Sequence, residues 1–297
     1  MSELIIQRPW LVVMTAALLL IVLEELLGHP ASSRFGGRRI SDNFILYSVG
    51  IGFVGLIGAA LPGLEATAGS ALLPGFGLTA WLGLPPWATF ITLFLLESLV
   101  NYWVHRWNHA VPLLWRLHRV HHSDPTQDVS SAVRNHPLEL IPTYLGQFAA
   151  IALVGATPGQ AIAVGLVNLC WSLFTHADLG KSALHYPTAL QFLVSPAYHR
   201  IHHSAAATQT DSNFGNMLAV WDHVFGTARN PAREAVGMIG LGPDYAASLS
   251  LLGQLGLPFR TVGTQAALKA ALVRPPADRL THPYPEATLE RVTPGGL

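Results

Sequence analysis

Five stretches of the chain are apolar over membrane-spanning lengths, and its polar residues gather between and after them. Trp10 to Leu27 is the first, long enough to cross a bilayer at about 1.5 Å rise per residue. It lacks a basic leader and a small-residue exit, so the pattern predicts a retained helix and not a cleaved signal. Phe44 to Leu61 is the second, rich in glycine, which membrane helices tolerate. Pro62 to Pro86 is a Gly/Pro-broken apolar loop. Trp87 to Val104 is the third span, Glu139 to Gly155 the fourth and Gln160 to Thr175 the fifth. The turn Ala156-Thr157-Pro158-Gly159 makes the last two a hairpin. Beyond His203 the pattern turns polar and turn-rich. Ala246 to Leu257 and Gln265 to Val273 are short amphipathic candidates, and the tail from Arg274 is Pro-rich.

The polar segments agree on one topology. His109 leaves the third span, His136 enters the fourth, His176 leaves the fifth, and His199 to His203 follow with no further span, so all lie on one side. Sixteen of the seventeen Lys and Arg residues lie on that side too, the exception being Arg8. The positive-inside rule then predicts a cytoplasmic histidine face and an outside N-terminus. The expected fold is all-α: a polytopic membrane helical bundle with a cytoplasmic helical cap holding a histidine-rich dimetal site. Three regions are expected: an N-terminal transmembrane hairpin and loop (1–84), a histidine-box catalytic region (85–230) and a C-terminal cytoplasmic extension (231–297).

Composition supports lipid exposure. Charged residues are 11% and hydrophobic ones 51%, against about 25% charged in a soluble domain. Zero net charge leaves no nucleic-acid footprint. Cys170 is the one cysteine, which excludes a disulfide framework, a CxxC zinc site and a cysteine-bound iron–sulfur cluster. A metal here must be held by nitrogen and oxygen.

Histidine supplies the candidate chemistry. His105 and His109 are four apart. His118, His121 and His122 sit at i, i+3 and i+4, and His199, His202 and His203 repeat that spacing within a second HRxHHS sequence. On a helix such residues share a face. Imidazole suits Fe, Zn, Cu or Ni, and one metal takes three or four such ligands. With His136 and His176 added, ten histidines exceed one site and fit two. A lone histidine would be read as an ordinary core or surface residue; three helical clusters on one membrane face are hard to explain as packing. His185 and His223 stand between a supporting role and ordinary loop residues, and His29 and His282 are expected not to bind metal. Glu97 and Asn101 continue the His105 stripe into the third span. A charge at that depth costs about 2.5–3.5 kcal/mol on insertion scales and should face inward, to line a pocket or to bond a neighbouring helix. Asp124, Asp128, Asp178, Asp211 and Asp222 are placed to orient imidazoles; Asp222, beside His223, is favoured, and Asn135 is a further candidate.

With its motifs His105-x3-His109, His118-x2-His121-His122 and His199-x2-His202-His203, the chain resembles the fatty acid hydroxylase/sterol desaturase superfamily of membrane di-iron enzymes. Tyr102-Trp103, Leu114-Trp115, Ser123, Ser204, Asn135-His136-Pro137-Leu138-Glu139, the run from Asp211 to Asn216 and that from Trp221 to Thr227 are similar to family segments as well. The resemblance covers roughly residues 85 to 230. It departs at Asn101, where the family often carries aspartate. It implies two non-haem iron ions and O2-dependent attack on a C–H bond of a lipid: a fatty acyl chain, sterol, carotenoid or ether lipid. It also implies electrons from a separate ferredoxin or cytochrome b5-type donor, for which this sequence carries no domain of its own. Hydroxylation and desaturation share the first C–H cleavage, and the ligand set does not separate them. A metal transporter would place its ligands at mid-membrane, and a metallohydrolase would want HExxH; neither pattern is present.

Overall fold

The computed structural model describes residues 8–27, 36–60, 76–179, 192–241 and 250–260. Seven helices position the site: α1 (Pro9–Leu26), α2 (Gly36–Ala60), α3 (Pro86–Ala110), α4 (Pro112–His118), α5 (Leu140–Val154), α6 (Pro158–His176) and α7 (Pro196–His202). Shorter helical turns lie at Leu78–Leu82, Ala207–Thr210, Val220–Val224 and Leu251–Gly256. Among the described residues there are no strands, only isolated antiparallel bridges pairing Leu193 with Leu218 and Ser204 with Ile239. Residues 1–262 form one compact unit, and 263–297, with the amphipathic candidate Gln265 to Val273, lie outside the described residues. Most of the loop from Pro62 does too; its end holds the Leu78–Leu82 turn.

Local chemistry sets the helix limits. Proline opens α3, α4, α6 and α7 within the first two positions, where its missing N–H costs nothing. At α6, Thr157 accepts from the Gln160 amide while the Gln160 side chain reaches back, a capping box. Ser195 Oγ accepts from the Tyr198 amide at the start of α7. α3 ends where Val111 turns extended before Pro112.

α1, α3 and the stretch Pro137–Val154 are long and apolar enough to cross a membrane. Helices also cover the expected second and fifth spans, α2 of 25 residues and α6 of 19, though neither is among the helices long and apolar enough to cross a membrane among the described residues. Surface and interior are inverted relative to a soluble protein. Trp10, Met14, Leu18 and Leu19 on α1 and Trp87 and Ile91 on α3 are exposed, while Glu24, Arg39, Asp42, Glu97 and Arg134 are buried. α3 packs along α5, and Gly146 permits the approach: a Cβ there would lie 2.6 Å from Val100 Cγ1.

A buried polar belt gathers the helix ends. Glu24, at the end of α1, accepts the backbone N–H groups of Val129 (3.1 Å) and Asp178 (2.7 Å). Arg39, at the start of α2, pairs with Asp124 at 2.7 Å and with Asp128. Arg134, fully buried, donates to Asn43 Oδ1, Val120 O and Ser123 Oγ. These bonds bring the ends of α1 and α6 and the start of α2 to the segment 120–139, which leads into α5. All five long helices thus have an end at the histidine-bearing side, as the sequence topology requires.

Candidate metal centre

Nine of the ten expected histidines converge, in two groups. His105, His109, His118, His122 and His202 form one; His121, His176, His199 and His203 form the other. Within each group the ligand atoms lie within 4.8 Å of one another. α3 supplies His105 and His109, and His118 ends α4; His121 and His122 form a 3-10 turn. His176 ends α6, and α7 supplies His199 and His202, with His203 as its C-cap.

The two HxxHH boxes divide crosswise. In the first, the i and i+4 members, His118 and His122, join the first group, and His121 joins the second. In the other box His199 and His203 join the second group and His202 the first. One box therefore contributes to both positions, which holds the groups side by side.

The hydrogen bonds fix the ring orientations. His105 donates Nδ1–H to Phe214 O, His202 to Ser212 O and His176 to Ser172 O, each at 2.8 Å. A carbonyl can only accept, so these Nε2 atoms carry lone pairs. His118 Nδ1 is 2.6 Å from Glu139 Oε1, and His109 Nδ1 is 3.3 Å from Asp211 Oδ1. The short run 211–214 thus orients three histidines of one group. Nε2 atoms then face each other at 3.1 Å for His109 with His122, His122 with His118, His176 with His199 and His199 with His203. His121 and His176 approach at 3.3 Å.

This donor set fits two metal ions. Bonds of about 2.0–2.1 Å to imidazole set neighbouring nitrogens roughly 3 Å apart. Lone pairs at that distance repel unless a cation lies between them. Nε2 of His105 and of His202 is buried without any partner, a deficit that a metal bond removes. Burial, reinforced by neighbouring imidazoles, pushes His121, His122, His199, His202 and His203 well below the usual histidine range, so they are neutral and able to bind. Oxygen partners on the far ring nitrogen are the usual support of metal-bound histidine.

Other expected site residues are placed differently. His136 lies outside both groups. Its Nδ1 accepts the Leu138 N–H at 3.2 Å, capping the turn that leads into α5. His223 is exposed. Asp222 reaches no imidazole, but its two oxygens accept the N–H groups of Phe214 (2.8 Å) and Gly215 (2.9 Å). It thereby holds the carbonyl that orients His105. Asp124 and Asp128 pair with Arg39 instead of histidine, and Asp178 lies 3.6 Å from Arg200. Glu97 is buried and accepts from Asn168 Nδ2 at 3.3 Å. Asn135 donates to Ala132 O. His29, His185 and His282 lie outside the described residues. Sequence reasoning does not reach Glu139: it lies in the family-like segment Asn135–Glu139, but no spacing rule links it to His118.

A cavity of 760 Å³ opens beside the histidines, within the usual range for small-molecule sites. His105, His118, His121, His176 and His199 line one part of it, with Asn101, Asn108 and Glu139. Its apolar remainder is walled by α1, α2, α5 and α6 through residues such as Val13, Met14, Phe44, Ile51, Leu166 and Leu169.

Buried paired imidazole clusters at the end of an apolar helical bundle define a membrane protein with a histidine-walled metal site. The fatty acid hydroxylase family model matches residues 90–227, which hold every one of these histidines. Ornithine lipid hydroxylase OlsE of Rhizobium tropici is 30% identical over 231 residues, covering 76% of this chain and 68% of that protein. The chain belongs to the fatty acid hydroxylase family. Human alkylglycerol monooxygenase is 32% identical over 143 residues, and methylsterol monooxygenase 1-3 of Arabidopsis thaliana 28% over 152. Those matches cover only 31% and 47% of the relatives' lengths. No solved structure matches the chain.

Proposed function

We propose that the protein is a multi-pass di-iron lipid monooxygenase with its metal face in the cytoplasm. The observation that carries this reading is the convergence of nine histidines, eight of them buried and His105 half-buried, in groups of five and four beside a cavity that five of them line. His105, His109, His118, His122 and His202 hold one iron, and His121, His176, His199 and His203 the other. The irons supply the activation of O2, chemistry beyond any side chain here. One oxygen atom enters a C–H bond and the other leaves as water, with two electrons and two protons consumed.

The chain's own residues bind and orient. A lipid tail enters from the bilayer and lies against α1, α2, α5 and α6, and the packed apolar walls exclude water around the target carbon. Ser212, Phe214, Ser172 and Glu139 keep five-membered rings aimed inward through their Nδ1–H bonds. Electrons come from a separate ferredoxin- or cytochrome b5-type protein, since the one cysteine of this sequence cannot hold an iron–sulfur cluster. The one-sided Lys/Arg bias supports the cytoplasmic assignment.

Metal content and Mössbauer spectra of protein purified from iron-replete cells test this, together with O2-dependent lipid products. Two coupled irons per chain and a hydroxylated lipid are expected. A well-folded protein that takes up no iron under anaerobic loading would overturn the reading.

A further inference from the structure

Among the described residues, two of the buried side-chain oxygens without a partner belong to residues lining the cavity beside the histidines. Asn108 Oδ1 is one; Asn108 lies on α3 between His105 and His109 and is 4% exposed. Glu139 Oε2 is the other. Its sister oxygen pairs with Nδ1 of His118 at 2.6 Å, and the free oxygen of a carboxylate can only accept. A buried acceptor left without a donor costs about 1–3 kcal/mol. Both line the same cavity as the histidines; the rest of its lining is mainly apolar, with Thr143, Gln147 and Asn168 among its polar members.

We propose that the substrate carries a hydrogen-bond donor, a hydroxyl or amide N–H, which Glu139 Oε2 and Asn108 accept, and that oxidation falls within a few carbons of this polar end. The inference rests on the lipid oxygenase reading and adds orientation to it: polar end at the metals, hydrocarbon toward α1 and α2. A chain oxidised at its middle would put only CH2 groups against both acceptors and leave their deficit in place. Glu139 is a specificity residue on this view as well as the partner of His118.

The test compares 1-dodecanol with its methyl ether, which keeps the oxygen and loses the donor. Both are titrated anaerobically into nanodiscs holding the iron-loaded protein, with empty nanodiscs as the reference for partitioning. The alcohol should bind at least about tenfold tighter, because a site built around a hydrogen bond discriminates strongly against its loss. Asn108→Leu should shrink that ratio. Glu139→Gln should shrink or reverse it, since the amide can accept from His118 and turn its NH2 to the cavity. Equal binding of the two probes, as when water satisfies both oxygens, would overturn the proposal, and so would binding of neither. A preference that survives both substitutions would assign it to the metals and overturn the proposal too. A protein that shows the preference yet oxidises no lipid refutes the oxygenase reading alone; one that oxidises lipid but binds both probes equally refutes this inference alone.

Discussion

Asp222 touches no histidine, yet its bonds decide where His105 points. It is fully buried and accepts from Phe214 N, Gly215 N and, at 2.7 Å, Thr227 Oγ1. Burial pushes its carboxyl upward, while these donors act against that shift. Gly215 belongs to the same device: a Cβ there would lie 2.5 Å from Leu218 O and 2.9 Å from Asp222 Oδ2. Asp222→Ala leaves the two backbone N–H groups unpaired, at about 1–3 kcal/mol each. It should also weaken iron binding about 10–100-fold, the usual cost of losing such support. Iron retained during chelator titration checks this, with exposed His223→Ala expected to match wild type; normal retention in Asp222→Ala would sink the role. Sequence pointed to Asp222 through its neighbours but could not show that it acts through a backbone carbonyl. It ranked His136 with the ligands because residue type and position look alike, whereas a contact to Leu138 N is invisible in one dimension.

At the level of elements, the apolar runs and histidine spacings were legible because both are periodic. A helix face shows as i, i+3, i+4, and α3 carries His105 and His109 as that rule requires. The division of each HxxHH box was not legible. In the first box His118 ends a helix and His121 begins a 3-10 turn, whereas in the second His199 and His202 lie on α7 with His203 as its C-cap. Both divide alike, i and i+4 to one group and i+3 to the other, and spacing alone did not show that two groups meet there. Each box therefore gives a separable prediction. His202→Ala removes a donor from the five-histidine group, and His121→Ala one from the four-histidine group. Iron should fall toward one ion per chain in each, with loss of the coupled Mössbauer signature and no turnover. Two irons with a coupled spectrum in either variant would refute the grouping. The polar belt was equally hidden. Arg39 and Asp124 are 85 residues apart, and no local pattern joins them. Arg39→Ala strands Asp124 and Asp128 as buried charges, a loss of about 3–5 kcal/mol for a broken buried pair. A lowered melting temperature in nanodiscs, with parallel loss of iron, is the expected result; an unchanged melt would remove the belt from the account of stability.

For the whole molecule, the buried imidazoles tie stability and metal binding to pH. His121, His122, His199, His202 and His203 are held well below the usual range by burial first and by each other second. An unfolded chain protonates its histidines near pH 6.5, whereas the folded cluster stays neutral well below that. Under acid the unfolded state therefore binds more protons, so stability rises with pH through this window. The stabilisation is complete above about pH 6.5 and is lost progressively as pH falls below it. A metal held by these rings would steepen the same trend, because a coordinated ring nitrogen is unavailable to a proton until the metal leaves. Ordinary surface carboxylates would begin to matter only near pH 4, and the chain carries few of them. Melting temperature and retained iron, measured together in nanodiscs from about pH 8 to pH 5, should hold steady to about 6.5 and then decline in step. A flat profile across that range would mean that solvent reaches the rings, which is incompatible with a cluster this deeply buried.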